Sequence, residues 1–143
     1  MPGQTRFAEL EPLLERVQKP IQYVGGELNS VVKDWNVGGH GPQGHELTVR
    51  WALMYPDAYE VGVPNQGVMI LYEVINERLD ALAERTYAVW PDLEALMRTA
   101  GVPQLTVDAH RAVGDFDLFG VSFSTELGYT NMLTAIDLAG IPL

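Results

Sequence analysis

Two carboxylates and a phenol fall within four positions of one another in the segment DAYEVGVPNQG, residues 57–67: Asp57, Tyr59 and Glu60, followed by Gly62, Gln66 and Gly67. Paired carboxylates can serve as a general acid and base, although solvated or helix-dipole roles are at least as common for such a pair. The segment has no Lys, Arg, His, Ser or Thr. A phosphate cradle draws on basic or hydroxyl side chains as well as backbone N–H groups, so a simple nucleotide site is disfavoured and a larger, less anionic ligand is expected. A second set of hydroxyls, Ser122 and Ser124, closes the apolar run DLFGVSFS. Ser122 is expected to meet a ligand and Thr125 to cap the helix that follows.

The histidines offer less. His40 and His45 fall in NVGGHGPQGHE, residues 36–46, a glycine-rich tract that reads as an exposed, mobile loop and supplies no third metal ligand. His110, in DAHRAVG, is expected on a surface loop. Tyr23, Gly25, Gly26, Glu27 and Asn29 form a turn with more polar residues than a turn needs, suited to docking on the carboxylate loop or on a later domain. Trp35, Trp51 and Trp90 read as core or domain-contact residues.

The elements that must position these residues follow from periodicity. Residues 7–18 have helical spacing, with a helix from about Glu11 so that Pro12 falls in its first turn. Leu47–Met54 is a predicted strand, and Gln66 to about Leu82 a helix with Ile70, Leu71, Val74, Ile75 and Leu79 on its buried side. Thr86–Val89 is a short second strand, and Pro91 opens a helix that Gly101 ends. Gln104–Val107 is a further short strand. Asp117–Ser124, apolar on both faces, is expected to be central in the complete sheet and to be left as an edge in this chain. A last helix, about Glu126 to Ala139, carries Leu127, Met132, Leu133 and Ile136. Alternating strands and helices imply a parallel α/β sheet with right-handed crossovers, and ligands in such sheets bind where the strands end at their carboxyl side.

The 143 residues have the length of one domain, and 47% of them are apolar, enough for a buried core. Nine basic residues against nineteen acidic ones give a formal net charge of −10, which disfavours nonspecific binding to nucleic acid or an anionic membrane face. No run approaches the roughly 18 apolar residues of a membrane span, and the first residues lack a signal-peptide core, so a cytoplasmic location is expected. The chain has no cysteine, hence no disulfide, thiolate zinc site, cysteine nucleophile or iron–sulfur cluster of its own. It stops at GIPL, where a fourth strand is expected. The expectation is an N-terminal fragment of a longer protein, with dimerisation through the last strand as the structural alternative.

Four stretches, YVGGELNSVVKDW (residues 23–35), MYPDAYEVGVPNQGVMILYEVIN (54–76), VWPDLEALMRTAG (89–101) and FDLFGVSFSTELGYTNMLTAIDLAGIPL (116–143), together resemble the N-terminal region of bacterial radical S-adenosylmethionine proteins that carry a cobalamin-binding-like domain. The resemblance runs from about residue 19 onward, apart from the glycine-rich tract. It implies an N-terminal extension over residues 1–46 and a flavodoxin-like, Rossmann-type three-layer α/β domain over 47–143, incomplete at its C-terminal edge. It also implies a catalytic barrel later in the polypeptide that holds a [4Fe–4S] cluster and S-adenosylmethionine, with that barrel as partner.

Cobalamin domains of the methionine synthase type resemble DxHxxG in the loop after the first strand, the histidine being the lower cobalt ligand. Here DAYEVG puts Tyr59 in that place. The resemblance therefore implies a corrinoid held without a histidine ligand, with Asp57, Tyr59, Glu60, Gly62, Gln66, Ser122, Ser124 and Tyr129 as contacts and no catalytic residue in this region. The alternative is a degenerate docking domain that binds no corrinoid; a free-standing flavin binder fits less well, for want of a hydroxyl-rich phosphate loop.

Overall fold

A computed structural model describes residues 1–38 and 45–143. His40 and the centre of the glycine-rich tract, with the mobility expected of it, lie outside the described residues. The elements are α1 (Phe7–Leu14), β1 (Val37–Gly38), β2 (His45–Glu46), β3 (Val49–Ala58), α2 (Tyr59–Gly62), α3 (Gln66–Glu77), β4 (Ala81–Ala88), α4 (Pro91–Ala100), β5 (Leu118–Val121) and α5 (Tyr129–Leu138), with 3₁₀ turns at Pro20–Tyr23, Val113–Asp115 and Glu126–Gly128. The strands β1 and β2 form a small antiparallel pair. The main sheet is parallel, open and ordered β4-β3-β5, a flavodoxin-like arrangement in which β3 is central.

From β3 the chain moves to one side for β4 and then crosses to the other side for β5. Right-handed crossovers in opposite directions put their helices on opposite faces of the sheet. Two separate cores result. Val68 and Tyr72 of α3 pack on Leu53 and Ala83, whereas Leu93 and Met97 of α4 meet Leu10, Leu13 and Leu14 of α1, Leu105 and Leu138. α4 matches its sequence signals: Pro91 opens it, and Gly101 ends it in a left-handed conformation at φ 70°.

Elsewhere tertiary context overrides local pattern. The sequence ALAE reads as helix, yet Ala81–Ala88 is a strand paired along its length with β3, so α3 ends at Glu77. The helix at the N-terminus starts at Phe7, four residues before the expected start, and keeps Pro12 inside it because Leu10, Leu13 and Leu14 are all buried. The expected faces of two helices are also corrected. α3 buries Val68 and Tyr72, while Ile70, Leu71, Val74 and Leu79 are exposed; α5 buries Ala135 and Leu138, while Leu127 and Leu133 are exposed. β5, expected to be central in a complete sheet but an edge in this chain, is an edge strand with Leu118 exposed.

The other edge is covered. Gln104–Val107 makes no strand but an antiparallel bridge, Leu105 with Ala112, laid along the outside of β4. Val107 N–H donates to Arg85 O at 2.8 Å, and Arg85 N–H donates to Asp108 Oδ2 at 2.7 Å. Gln104 Nε2 donates to Tyr87 O at 2.8 Å. The free polar groups of an edge strand are thereby paired within the chain.

This edge is also where two charge pairs are buried. Arg85 grips Asp108 through Nε at 3.3 Å and Nη2 at 2.7 Å, both side chains being almost wholly inaccessible. The same carboxylate accepts from the Tyr72 hydroxyl at 3.1 Å and from Ser30 Oγ. Arg85 Nη1 reaches Asn29 Oδ1 at 3.2 Å, and its guanidinium lies 4.1 Å from the centre of the Tyr72 ring. Glu84, on the next residue, pairs with Arg111 and accepts from Thr106 Oγ1 at 2.5 Å. Burial pushes the Glu84 carboxyl above its ordinary range, against the opposing pull of Arg111.

Residues 29–35 are pinned by these groups and by Lys33, whose ammonium donates to the carbonyls of Asn76, Arg78 and Ala81 at 2.7, 2.8 and 2.8 Å. A cation at the end of α3 also meets the negative pole of the helix. Replacing Asp108 by Asn keeps the shape but strips the charge opposite Arg85. The expected outcome is a loss of about 3–5 kcal/mol of unfolding free energy in urea; a loss below about 1 kcal/mol would mean that the other polar partners suffice.

Candidate functional site

β3 runs further than its apolar pattern suggests, through Pro56 and Asp57 to Ala58, with an irregularity in its pairing between Tyr55 and Ala58. Asp57 is therefore the penultimate residue of the strand, and its Oδ1 accepts from Ala58 N–H at 2.7 Å. Tyr59, Glu60 and Gly62 form the single turn α2, and Asn65 caps α3 by accepting from Val68 N–H at 3.0 Å. Gln66 is the exposed first residue of α3.

The candidate residues separate into two groups. In the first, the Tyr59 hydroxyl donates to the Glu27 carboxylate, and its ring stands edge-on to Tyr87 with centroids 5.6 Å apart. Lys19 Nζ donates to Glu60 Oε1 at 3.0 Å and Gln22 Nε2 to the same atom at 3.2 Å. The Lys19 hydrogen bond, then that of Gln22, holds the Glu60 carboxyl below its ordinary range. A Cβ at Gly62 would lie 2.3 Å from Tyr87 Cδ1, so only glycine lets this turn sit so close to β4. The N-terminal segment thus lies across the carboxylate loop, and the polar excess around the Gly25–Gly26 turn is accounted for by that docking.

The second group lies at the carboxyl ends of β3 and β5. Ser122 N–H continues the strand pairing by donating to Met54 O at 2.8 Å. Ser124 Oγ and the Tyr55 hydroxyl share a hydrogen bond at 3.2 Å. Tyr129 is half exposed and packs on Phe123 with ring centroids 4.3 Å apart. Thr125 caps the turn after β5, accepting from Leu127 N–H at 3.0 Å. Asp57 and Glu60 have separate partners and share no hydrogen bond, so the geometry joins them in no acid–base pair.

His110 is not the surface residue its loop suggests. It is buried at positive φ (52°), its Nε2 lies 2.8 Å from Tyr23 O, and its ring packs on Phe7. Among the described residues no group of three or more His, Cys, Asp or Glu side chains could hold a metal ion. No helix among them is long and apolar enough to cross a membrane. With no cysteine in the chain, a thiolate-held iron–sulfur cluster has no ligands here. Sequence reasoning placed Glu27 in a turn suited to docking on this loop, with the polar surplus in YVGGELN as the signal, but missed Gln22 and Lys19 as the partners of Glu60.

Compared with protein families, the chain matches the description "Radical SAM proteins, N-terminal" over residues 67–143, more than half its length. The chain belongs to this family. No curated protein and no solved structure matches it. The matched region of this radical SAM N-terminal domain starts at α3 and includes Ser122, Ser124 and Tyr129. The loop residues Asp57, Tyr59, Glu60 and Gly62, and Gln66, lie outside it.

Burial raises the Tyr87 and Tyr72 phenols of this radical SAM N-terminal domain to about 12, from an ordinary value near 10. Both stay protonated in the folded chain while an unfolded chain begins to ionise them. Their contribution to stability is therefore complete below pH of about 10 and is lost as pH rises toward about 12. A spectrophotometric titration of the native protein is expected to show Tyr72 and Tyr87 ionising late, with the Tyr23 phenol, which burial also raises, following the exposed tyrosines, and urea stability falling across the same window. Replacing Tyr87 by Phe is expected to remove one late step.

Proposed function

We propose that this radical SAM N-terminal domain is a non-catalytic docking module that seats the radical-generating barrel of its own polypeptide and holds no corrinoid. The observation that carries the proposal is the uncovered apolar flank of α3. Ile70, Leu71 and Val74 are 59%, 51% and 55% exposed. On a helix turning about 100° per residue, Leu71 and Val74 lie on the flank opposite Asn76. Asn76 Nδ2 donates to Ala83 O of β4 at 2.9 Å, so the apolar flank faces the β5 side of the sheet. There Leu118 is exposed, and the outer edge of β5 has no partner strand among the described residues. Apolar side chains beside an open sheet edge mark a surface that another layer of protein covers.

The loop itself supports the same reading. Tyr59 stands at the position expected for a lower-ligand histidine, with its hydroxyl committed to Glu27 and its ring to Tyr87. Glu60 is engaged by Lys19 and Gln22. A macrocycle seated on this loop would have to displace the N-terminal segment. A second reading, a corrinoid bound without a histidine ligand, draws on the hydroxyls of Tyr55, Ser122 and Ser124. They line the switch point between β3 and β5, where α/β sheets bind ligands.

Two measurements test the proposal. Titration of a corrinoid such as hydroxocobalamin into the protein is expected to leave its visible spectrum unchanged; a saturable shift would establish the second reading. The double substitution Leu71→Glu and Val74→Glu is expected to change urea stability by no more than about 0.5 kcal/mol, as for surface positions, while abolishing association with a separately expressed barrel. Undiminished association would place the docking surface elsewhere.

A further inference from the structure

The backbone of β5 shows what a layer covering its bare outer edge has to supply. β5 pairs with β3 in parallel, Phe119 opposite Ala52 and Val121 opposite Met54, and Ser122 N–H donates to Met54 O at 2.8 Å. Backbone groups alternate in direction along a strand, so Leu118 and Gly120 share the orientation of Ser122 toward β3. The N–H and C=O groups of Phe119 and Val121 therefore aim outward. Side chains alternate as well, between the two faces of the sheet. A Cβ at Gly120 would lie 3.3 Å from Leu53 Cδ2, and Leu53 belongs to the core under α3, so Leu118 is on the α3 face. Phe119 and Val121 are on the other, where Phe123 packs on Tyr129 of α5. Both faces end in apolar side chains at this edge. On one, the flank of Leu71 and Val74 is turned to the β5 side. On the other, Thr134 of α5 lines a cleft with Glu94 of α4 and Ala88 of β4. Met132, Ile136 and Tyr129, on the opposite flank of α5 at about 100° per residue, therefore turn away from β4 toward the outer side of β5.

We infer that the covering layer meets this edge with one β-strand, parallel to β5 and apolar on both faces, drawn from the segment of the same polypeptide that follows α5. This rests on the proposal that the rest of the polypeptide covers the surface, and adds the form of the contact. A layer that covered both apolar flanks without a strand would bury the outward groups of Phe119 and Val121 unpaired, whereas buried backbone groups are almost always paired. A helix spends its own backbone groups internally; an extended strand has them to offer. Lying between the side chains of α3 and those of α5, the strand meets water on neither face, and strands buried in that way carry apolar residues throughout. Its direction follows from α5. That helix shares its face of the sheet with α4, Leu138 packing in the same core as Leu93 and Met97. The step from β4 through α4 to β5 moves away from β4, and a right-handed crossover on the same face keeps that direction. A strand entered from α5 thus arrives outside β5 and parallel to it. A second copy of this chain is disfavoured as the occupant, since each copy brings a formal net charge of −10.

Amide hydrogen exchange read residue by residue in the complete polypeptide tests the inference, with this chain alone as the reference. In this chain the amides of Phe119 and Val121 are expected to exchange about 100-fold faster than that of Gly120. In the complete polypeptide the alternation is expected to vanish, all three being slow. Nuclear Overhauser contacts from Phe119 and Val121 are then expected to advance along the added strand in the same chain direction. Fast exchange that persists at Phe119 and Val121 while the Leu71 and Val74 methyls shift would overturn the inference and leave the docking proposal standing; methyls that also stay unshifted would remove both. Contacts that advance in the reverse direction would overturn it too. So would protection in this chain alone that rises with its concentration, by placing a second copy on the edge.

Discussion

One carboxylate, that of Asp108, holds together parts of the chain that nothing in their own sequence obliges to meet. It takes two hydrogen bonds from the Arg85 side chain and one each from the Arg85 backbone, Tyr72 and Ser30. Those groups belong to β4, α3 and the N-terminal segment. Burying such a pair carries a desolvation cost that its Coulomb attraction does no more than offset, so its role is to select one arrangement and penalise others. The covered edge of β4 and the anchoring of the N-terminal segment through Asn29 and Ser30 both follow from that one group being satisfied.

The carboxylate loop depends on this arrangement indirectly. It has no basic residue of its own, and the cation that meets Glu60 comes from Lys19, 41 residues earlier. Because the N-terminal segment is fastened at Ser30 and Lys33, it can hold Glu27 against Tyr59 and Gln22 against Glu60. A loop that looks poised for a ligand becomes part of an internal joint. The apolar side chains that stay exposed then lie on the flank of α3 and at the edge of β5.

Legibility in the sequence tracked the range of the interactions. Features decided within a few residues were readable: Pro91 and Gly101 bounding α4, Thr125 as a cap, the glycine turn at 25–26, and the alternation of strand and helix that gives the parallel sheet. Features decided across the chain were not. ALAE becomes the first half of β4 only because β3 lies beside it, and His110 is buried only because Phe7 and Tyr23 reach it. The apolar positions of α3 misled for a further reason, since periodicity shows that a face is apolar but not which layer covers it. In the site, the absence of a histidine at Tyr59 was visible at once, whereas Glu27, 32 residues away, was legible as part of a turn suited to docking on the loop but not as the partner of Tyr59.

Asp108 follows Ser30 by 78 residues, and that interval has a consequence during synthesis. On the ribosome the N-terminal segment emerges long before the carboxylate that anchors it. At about 5–20 residues per second, several seconds pass in which Ser30, Asn29 and the glycine turn have nowhere to dock. Until then β4 also presents a bare edge. The nascent chain is therefore most vulnerable to misassembly after β4 has been made and before Asp108 leaves the exit tunnel, an interval in which a chaperone would find both unpaired backbone and exposed apolar side chains.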